Sequence, residues 1–199
     1  AVDDAKANTQ YSNVNIFHYA ELNLPVMGMD EKPTISHSIL SQLNVDYVSY
    51  SCYDVIYPNF SDTAGLRTAL HEVLDYLEEQ LPPKQGISGK RVFIGEYGFA
   101  LKYSEGEQQQ KILSTAFLNS AISWGCPFVL YWAFYCNELQ SDGTYNGFWM
   151  INNEDVKQPV YFKHRDYYYD LKLKIQNYVK QHHTEPDPET IRKFALELL

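Results

Sequence analysis

The strongest constraint on the fold is a pattern that occurs four times along the chain. A short apolar run, rich in β-branched and aromatic residues, ends in polar residues and is followed by a helical stretch. The runs cover residues 15–21, 45–54, 91–98 and 127–138. Runs this apolar are typical of strands covered on both faces, as in parallel sheets. The alternation therefore predicts βαβ units and an α/β fold.

Two α/β architectures fit four such units. A doubly wound open sheet accommodates four or five strands in 199 residues. A TIM barrel needs eight units and typically about 250 residues, so this chain would supply half of one. No glycine-rich phosphate loop follows any of the runs, so the sequence gives no support to a nucleotide-binding open sheet.

The segments between the runs predict helices. Residues 64–80 place Leu66, Leu70, Val73, Leu74 and Leu77 on one face at helical spacing. Ser104 and Glu107 match a capping box that would open the next helix, and Gly125 is a natural end for it. The side chains expected to point inward from that helix are Ile112, Leu113, Ala116 and Phe117.

The C-terminal tail departs from the repeat. Residues 184–188 read as a stiff linker, and Asp187 followed by Pro188 predicts a helix start. We therefore expect one domain over residues 1–183, and a linker with a final helix over residues 184–199. That helix either packs on the domain or docks on another chain.

Composition excludes some partners. The net charge of −9 argues against nucleic acid, whose phosphates need clustered Lys and Arg. No apolar stretch approaches membrane-spanning length, which predicts no membrane span. Cys52, Cys126 and Cys136 form neither a disulfide framework nor a CxxC site, so no metal is predicted. The 17 tyrosines and 3 tryptophans either fill a core or line a groove, since sugar C–H faces stack on aromatic rings.

The ends of the predicted strands carry the candidate chemistry, as catalytic groups of α/β folds gather there. Glu96 ends the third run, and strict alternation puts Val92, Ile94 and Glu96 on one side of the strand. Gly95 and Gly98 leave room for close approach of other groups. On spacing alone, Glu96 is either a functional carboxylate or a structural ion-pair partner.

Three of the four runs resemble a known clan. Residues 94–98, Ile-Gly-Glu-Tyr-Gly, resemble the strand-seven nucleophile motif of the retaining (β/α)8 glycoside hydrolases, the cellulase-, mannanase- and β-galactosidase-like enzymes. Residues 46–53 resemble strand six of that clan, and residues 128–132 resemble strand eight. The resemblance covers residues 15–169 and strands five to eight in order. It implies that the chain is the C-terminal half of a TIM barrel.

The resemblance implies roles for individual residues. Glu96 would be the nucleophile, Tyr53 would hydrogen-bond its carboxylate, and Trp132 would stack beneath the sugar. Ser51 stands where relatives often have His, so its role is open. Each residue also has a structural interpretation. Tyr53 would only satisfy its hydroxyl at a strand end, and Trp132 would pack in the core.

Residues at the other strand ends are further candidates for substrate binding. His18 and Glu21 close the first run and are candidates for binding sugar hydroxyls, although a lone His is more often a structural hydrogen-bonder. Asn137 follows the fourth run and is a candidate for the cleft rim. The clan places its acid/base at the end of strand four, which the resemblance puts upstream of Ala1. Retaining hydrolysis needs two carboxyl groups and no cofactor.

The predicted function is therefore hydrolysis of β-linked poly- or oligosaccharides. The residues leave the compartment open, and the resemblance favours a secreted or periplasmic location. An N-terminal half-barrel or a second chain is expected to complete the fold, because half a barrel leaves strand edges and an apolar face exposed. We expect the chain alone to be inactive. The alternatives are a non-catalytic carbohydrate-binding relative and an interaction module in which Glu96 is structural.

Overall fold

The computed structural model describes residues 4, 7, 8, 17–135 and 139–199. Within these ranges the protein contains four strands and seven α-helices. The strands are β1 (Tyr19–Leu22), β2 (Tyr47–Ser51), β3 (Val92–Tyr97) and β4 (Val129–Tyr131). The helices are α1 (Pro25–Met29), α2 (Ile35–Ser38), α3 (Tyr53–Ile56), α4 (Thr63–Glu79), α5 (Glu107–Trp124), α6 (Pro159–His182) and α7 (Pro188–Leu196). Short 3-10 turns cover Leu40–Gln42, Tyr57–Asn59 and Leu101–Tyr103.

The four strands form one parallel sheet in the order β1-β2-β3-β4. The predicted α/β fold is thereby confirmed. A doubly wound sheet reverses its strand order at a switch point, and these four strands show no reversal. All four carboxyl ends consequently lie at one edge, which we call the strand-end edge.

One face of the sheet packs against helices and forms the core. Val48, Tyr50, Val92 and Ile94 are fully buried there against the apolar sides of α4 and α5. The five leucine and valine residues predicted for the inner face of α4 are all buried. The burial of apolar side chains on this face therefore stabilises the fold.

The opposite face, which we call the open face, exposes large apolar side chains. Tyr19 is 60% exposed, Phe128 is 53% exposed and Leu130 is 52% exposed. Phe93 lies among them, with ring centroids 5.5 Å from Tyr19 and 5.6 Å from Phe128. Contiguous exposed apolar surface of this kind marks a site where something else binds.

Charged groups hold the amino ends of the central strands. The guanidinium of Arg91 is buried and donates to the carbonyl oxygens of Asp46 at 2.9 Å and Val45 at 2.7 Å. Glu78 of α4 accepts from the backbone nitrogens of Arg91 at 2.9 Å and of Val92 at 3.1 Å. Because buried charges are costly unless hydrogen-bonded, these bonds make the amino end a rigid part of the fold.

Two local predictions for α5 were wrong. Gly106, not Ser104, is its N-cap, and the Ser104 hydroxyl donates to the carbonyl of Ala100 instead. Ile112 was expected to be inside and is 52% exposed. The helix does end at Gly125, whose left-handed φ of 109° suits glycine.

The tail folds as its sequence predicted, with Asp187 capping α7 through a 2.7 Å bond from Thr190 N. α7 packs on α5 and α6, where Phe194 contacts the ring of Tyr178. In the first run, residues 15 and 16 lie outside the described residues. No helix in the described ranges is long and apolar enough to cross a membrane.

Candidate functional site

Glu96 reaches the open face because β3 contains a bulge. Tyr50 pairs with Ile94, but the next residue, Ser51, pairs with Glu96, so Gly95 is an extra residue in β3. Ile94 and Tyr97 both point into the helix-covered core, which strict alternation would forbid. Glu96 precedes Tyr97 and therefore faces the opposite way. The expectation that Glu96 shares a side with Val92 and Ile94 was wrong, because a bulge shifts the alternation by one residue.

The Glu96 carboxylate is half-buried and accessible. Within the described ranges, neither Lys nor Arg forms an ion pair with it, and no donor hydrogen-bonds to it. A partly buried carboxylate that serves the fold is normally paired with a cation, because burying an unpaired charge costs free energy. The interpretation of Glu96 as a structural ion-pair partner therefore has no support among the described residues.

Cys52 fixes the backbone of the bulge. Its backbone nitrogen donates to the carbonyl oxygen of Glu96 at 3.1 Å, and its Sγ donates to the same oxygen at 2.9 Å. Burial raises the pKa of the Cys52 thiol well above its ordinary value, so the sulfur keeps the proton that it donates. The sequence motif did not identify this contact, since it joins residues 44 positions apart.

The two glycines of the motif permit close approach, as predicted. A Cβ on Gly95 would collide with Ser49 Oγ, and a Cβ on Gly98 would collide with the carbonyl oxygen of Trp132. Trp132 N donates to the carbonyl oxygen of Tyr97 at 2.7 Å. Gly98 therefore lets the end of β4 lie directly against the end of β3.

Trp132 borders Glu96 along the strand-end edge. In β4, Tyr131 packs on the core while Leu130 and Trp132 are exposed, so alternation places Trp132 on the open face. Its side chain is 41% exposed. This exposure disfavours the interpretation of Trp132 as a core residue.

Glu21 brings a second carboxylate to the same edge. Leu22 is buried in the core, so Glu21 faces the open side, and its Oε2 lies 3.3 Å from the position of a Cβ on Gly95. Ser51 pairs with Glu96 across β2 and β3 and also faces the open side. Glu21, Ser51, Glu96 and Trp132 are thus brought together.

Tyr53 lies just beyond the end of β2, at the first residue of α3. Its ring contacts Phe148 at 5.7 Å and Tyr57 at 6.0 Å between centroids. The backbone nitrogen of Ala133 donates to the carbonyl oxygen of Phe148 at 2.9 Å. Phe148 therefore lies beside Ala133, the residue that follows Trp132. The hydrogen bond expected from Tyr53 to Glu96 is not present between these two described residues.

His18 is not part of this constellation, which corrects the expectation that it closes the first strand beside Glu21. It precedes β1, at the opposite end of the sheet. Its Nδ1 lies 2.8 Å from Asp46 Oδ2 and its Nε2 lies 2.7 Å from the carbonyl oxygen of Asn44. With both ring nitrogens engaged, His18 has a structural role at the amino end.

Asn137 lies outside the described residues. In the part of the chain that is described, no group of three or more His, Cys, Asp or Glu side chains is placed to hold a metal.

Comparisons with known proteins add no family. Neither a family model, nor a curated protein, nor a solved structure gives a significant match to the chain.

Proposed function

We propose that this chain is the C-terminal half of the (β/α)8 barrel of a retaining glycoside hydrolase, with Glu96 as the nucleophile. The observation that carries the proposal is a half-buried carboxylate, without an ion-pair partner among the described residues, that a bulge turns onto the open face beside an exposed tryptophan. Catalytic groups of such barrels occupy the carboxyl ends of the strands. The substrate is a β-linked poly- or oligosaccharide.

The distribution of exposed apolar groups supports the half-barrel. The helices beside the two edge strands expose large apolar side chains: Met27, Met29 and Ile35 after β1, and Phe162, Tyr168, Tyr169 and Leu173 after β4. By contrast, Ile112 is the one such side chain on α4 and α5, which follow the central strands and are described in full. Four further βα units would cover both flanks and the open face together.

The chemistry follows from the position of Glu96. In retaining hydrolysis the ionised carboxylate attacks the anomeric carbon and forms a glycosyl–enzyme intermediate, which water then hydrolyses. Trp132 offers a ring surface for the sugar next to that carboxylate. Cys52 holds the Glu96 backbone, and a fixed nucleophile gains from orientation.

The second carboxyl group of the reaction must lie about 5 to 5.5 Å from the nucleophile to act as acid and base. We place it upstream of Ala1, at the end of the strand that would pair with β1. Glu21, on the neighbouring strand end, is then assigned to binding sugar hydroxyls rather than to proton transfer.

The test uses the natural gene product that contains this chain, with the variants Glu96→Gln and Glu105→Gln. Glu105 is an exposed glutamate in the loop after β3 and serves as the matched control. Glu96→Gln should lower kcat on β-linked oligosaccharides by at least about 10³-fold, as loss of a nucleophile removes the covalent path. Glu105→Gln should leave kcat unchanged.

A mass measurement makes the assignment direct. A 2-deoxy-2-fluoro β-glycoside with a good leaving group slows hydrolysis of the intermediate, and the sugar should remain on the peptide that contains Glu96. Label on another carboxylate, or full activity in Glu96→Gln, would reject the nucleophile. Binding of oligosaccharides without any turnover would instead favour the non-catalytic carbohydrate-binding relative.

A further inference from the structure

The outer surface of the helices contains a pocket of about 580 Å³. Arg67 of α4, Lys111 of α5 and Lys163 of α6 line it, so three consecutive helices build it. We call it the basic pocket. None of the strand-end residues lines it, and it is therefore separate from the candidate site around Glu96.

The basic pocket concentrates positive charge in an acidic protein. No acidic side chain lines it, although the chain has 25 acidic and 16 basic residues. Elsewhere, Lys90 and Lys174 pair with carboxylates at 3.5 Å and 2.8 Å. Within the described ranges, Arg67, Lys111 and Lys163 form no ion pair. Because like charges repel one another, this arrangement favours a bound anion.

The neutral groups of the pocket add polar and apolar contacts. The side chains of Thr63 and Asn119 form no hydrogen bond in the described part of the chain, and both can donate to the oxygens of an anion. Lys163 Nζ donates to the carbonyl oxygen of Leu198 at 3.0 Å, which orients the ammonium and leaves two N–H groups for a ligand. Ile112, which is 52% exposed, supplies apolar surface. The lining therefore suits an anion with a carbon skeleton.

The proposed completion of the barrel would leave the basic pocket accessible. It would add strands at β1 and β4, whereas α4 and α5 follow the central strands β2 and β3. α5 packs on α4 on one side and on α6 on the other. The missing half therefore does not account for the cations of the pocket.

We propose that the basic pocket binds a small organic anion that carries two or more carboxylate or phosphate groups. The guanidinium of Arg67 matches such a group with two parallel hydrogen bonds, and the two lysines act as point charges. The bound anion bridges α4, α5 and α6, and a ligand that binds only the folded chain raises its stability. The proposal does not depend on the proposed function of Glu96.

Calorimetry on the natural gene product that contains this chain tests the proposal. Citrate and 3-phosphoglycerate are the probes, at constant ionic strength, and they distinguish a carboxylate ligand from a phosphate ligand. Inorganic phosphate serves as the reference without a carbon skeleton. The variants are Arg67→Gln, Lys111→Gln and the double variant. Lys172→Gln is the control, since Lys172 is an exposed lysine on α6 outside the pocket.

At least one of the two organic anions should bind with one-to-one stoichiometry and a Kd below about 1 mM. Arg67→Gln and Lys111→Gln should each weaken this binding about tenfold, the usual effect of losing one charged hydrogen-bond donor, while Lys172→Gln keeps the native affinity. The same anion should raise the Tm of the native protein and leave that of the double variant unchanged.

Circular dichroism without the probe checks that the variants keep the native fold. Because Arg67 is exposed, its substitution should leave the Tm of the free protein unchanged. The proposal would be overturned by no saturable binding of either organic anion, by an affinity no greater than that for inorganic phosphate, or by native affinity in both pocket variants.

Discussion

The hydroxyl oxygen of Ser49 occupies the space that a side chain on Gly95 would need. The two residues lie on neighbouring strands, directly beneath the bulge that turns Glu96 to the open face. This contact makes the smallest substitution at Gly95 a test of how Glu96, the proposed nucleophile, is positioned.

We expect Gly95→Ala to lower the free energy of unfolding by about 1–3 kcal/mol, the usual cost of overpacking a filled site. Turnover should fall as well, because relief of the collision moves the bulge. Urea denaturation and steady-state kinetics measure the two effects. The double variant Gly95→Ala with Ser49→Gly removes the colliding hydroxyl and should recover most of both losses. Equal damage in the single and double variants would contradict the role given to Ser49.

A substitution at His18, at the amino end of the sheet, should change stability without changing substrate binding. The Asp46 carboxylate is 1% exposed and accepts from the His18 ring at 2.8 Å. His18→Ala removes the ring's bond and leaves the bond from the His18 backbone nitrogen at 3.0 Å and the ion pair with Lys84 at 3.4 Å. The free energy of unfolding should therefore fall by about 1 kcal/mol, the usual contribution of one hydrogen bond. The KM for oligosaccharides should not change. A large rise in KM with unaltered stability would restore His18 to the substrate site.

Stability should depend on pH through His164. Its Nδ1 faces the Val160 carbonyl at 2.8 Å and its Nε2 faces the Tyr97 hydroxyl at 2.7 Å. Burial lowers the pKa of His164 below the ordinary 6.5. Between the lowered value and 6.5 the unfolded chain binds the extra proton, so the free energy of unfolding falls as the pH drops.

The contribution of His164 is thus complete above about pH 6.5 and is lost below it, with a slope of at most about 1.4 kcal/mol per pH unit. Urea melts across this range should show a flatter profile for His164→Gln than for the native chain. His37→Gln, at an exposed histidine, is the control and should keep the native slope. Parallel profiles for the native chain and His164→Gln would contradict the prediction.

The chain of 199 residues produced alone should self-associate, because its open face presents contiguous apolar groups. Leu130→Thr should reduce the association seen in sedimentation velocity without changing the helix content. Ile112→Thr removes an equally exposed side chain, 52% in both cases, from the helical surface and should have little effect. A compact monomer for the unaltered chain would argue against a missing half.

Periodicity predicted the parts of this fold that depend on repeated burial. The buried face of α4 and the positions of the four strands could be predicted, because the spacing of apolar residues indicates which face of an element is covered. The α/β class followed from their alternation. The capping box at Ser104 failed because the loop after β3 continues to Gly106 before the helix begins, and a two-residue motif does not report loop length.

The sequence predicted which side chains lie at the strand ends, and it predicted their geometry less well. Glu96, Glu21, Ser51 and Trp132 do meet at one edge, since parallel strands bring their carboxyl ends together. The bulge at Gly95 was missed, because strand alternation assumes regular pairing. Cys52 was missed for another reason: its bond to Glu96 depends on the register between two strands, which no local pattern encodes.

The hydrogen bond from Arg91 to the Asp46 carbonyl lies at the amino end of the sheet. It secures β2 and β3 far from the edge where Glu96 and Trp132 stand. Substitutions in the loops that follow these strands can accumulate while the anchoring charges remain intact. The anchoring bonds and the proposed site therefore lie at opposite ends of the same strands. Under the proposed function, laboratory libraries aimed at new sugar specificity belong in residues 52–62 and 98–106.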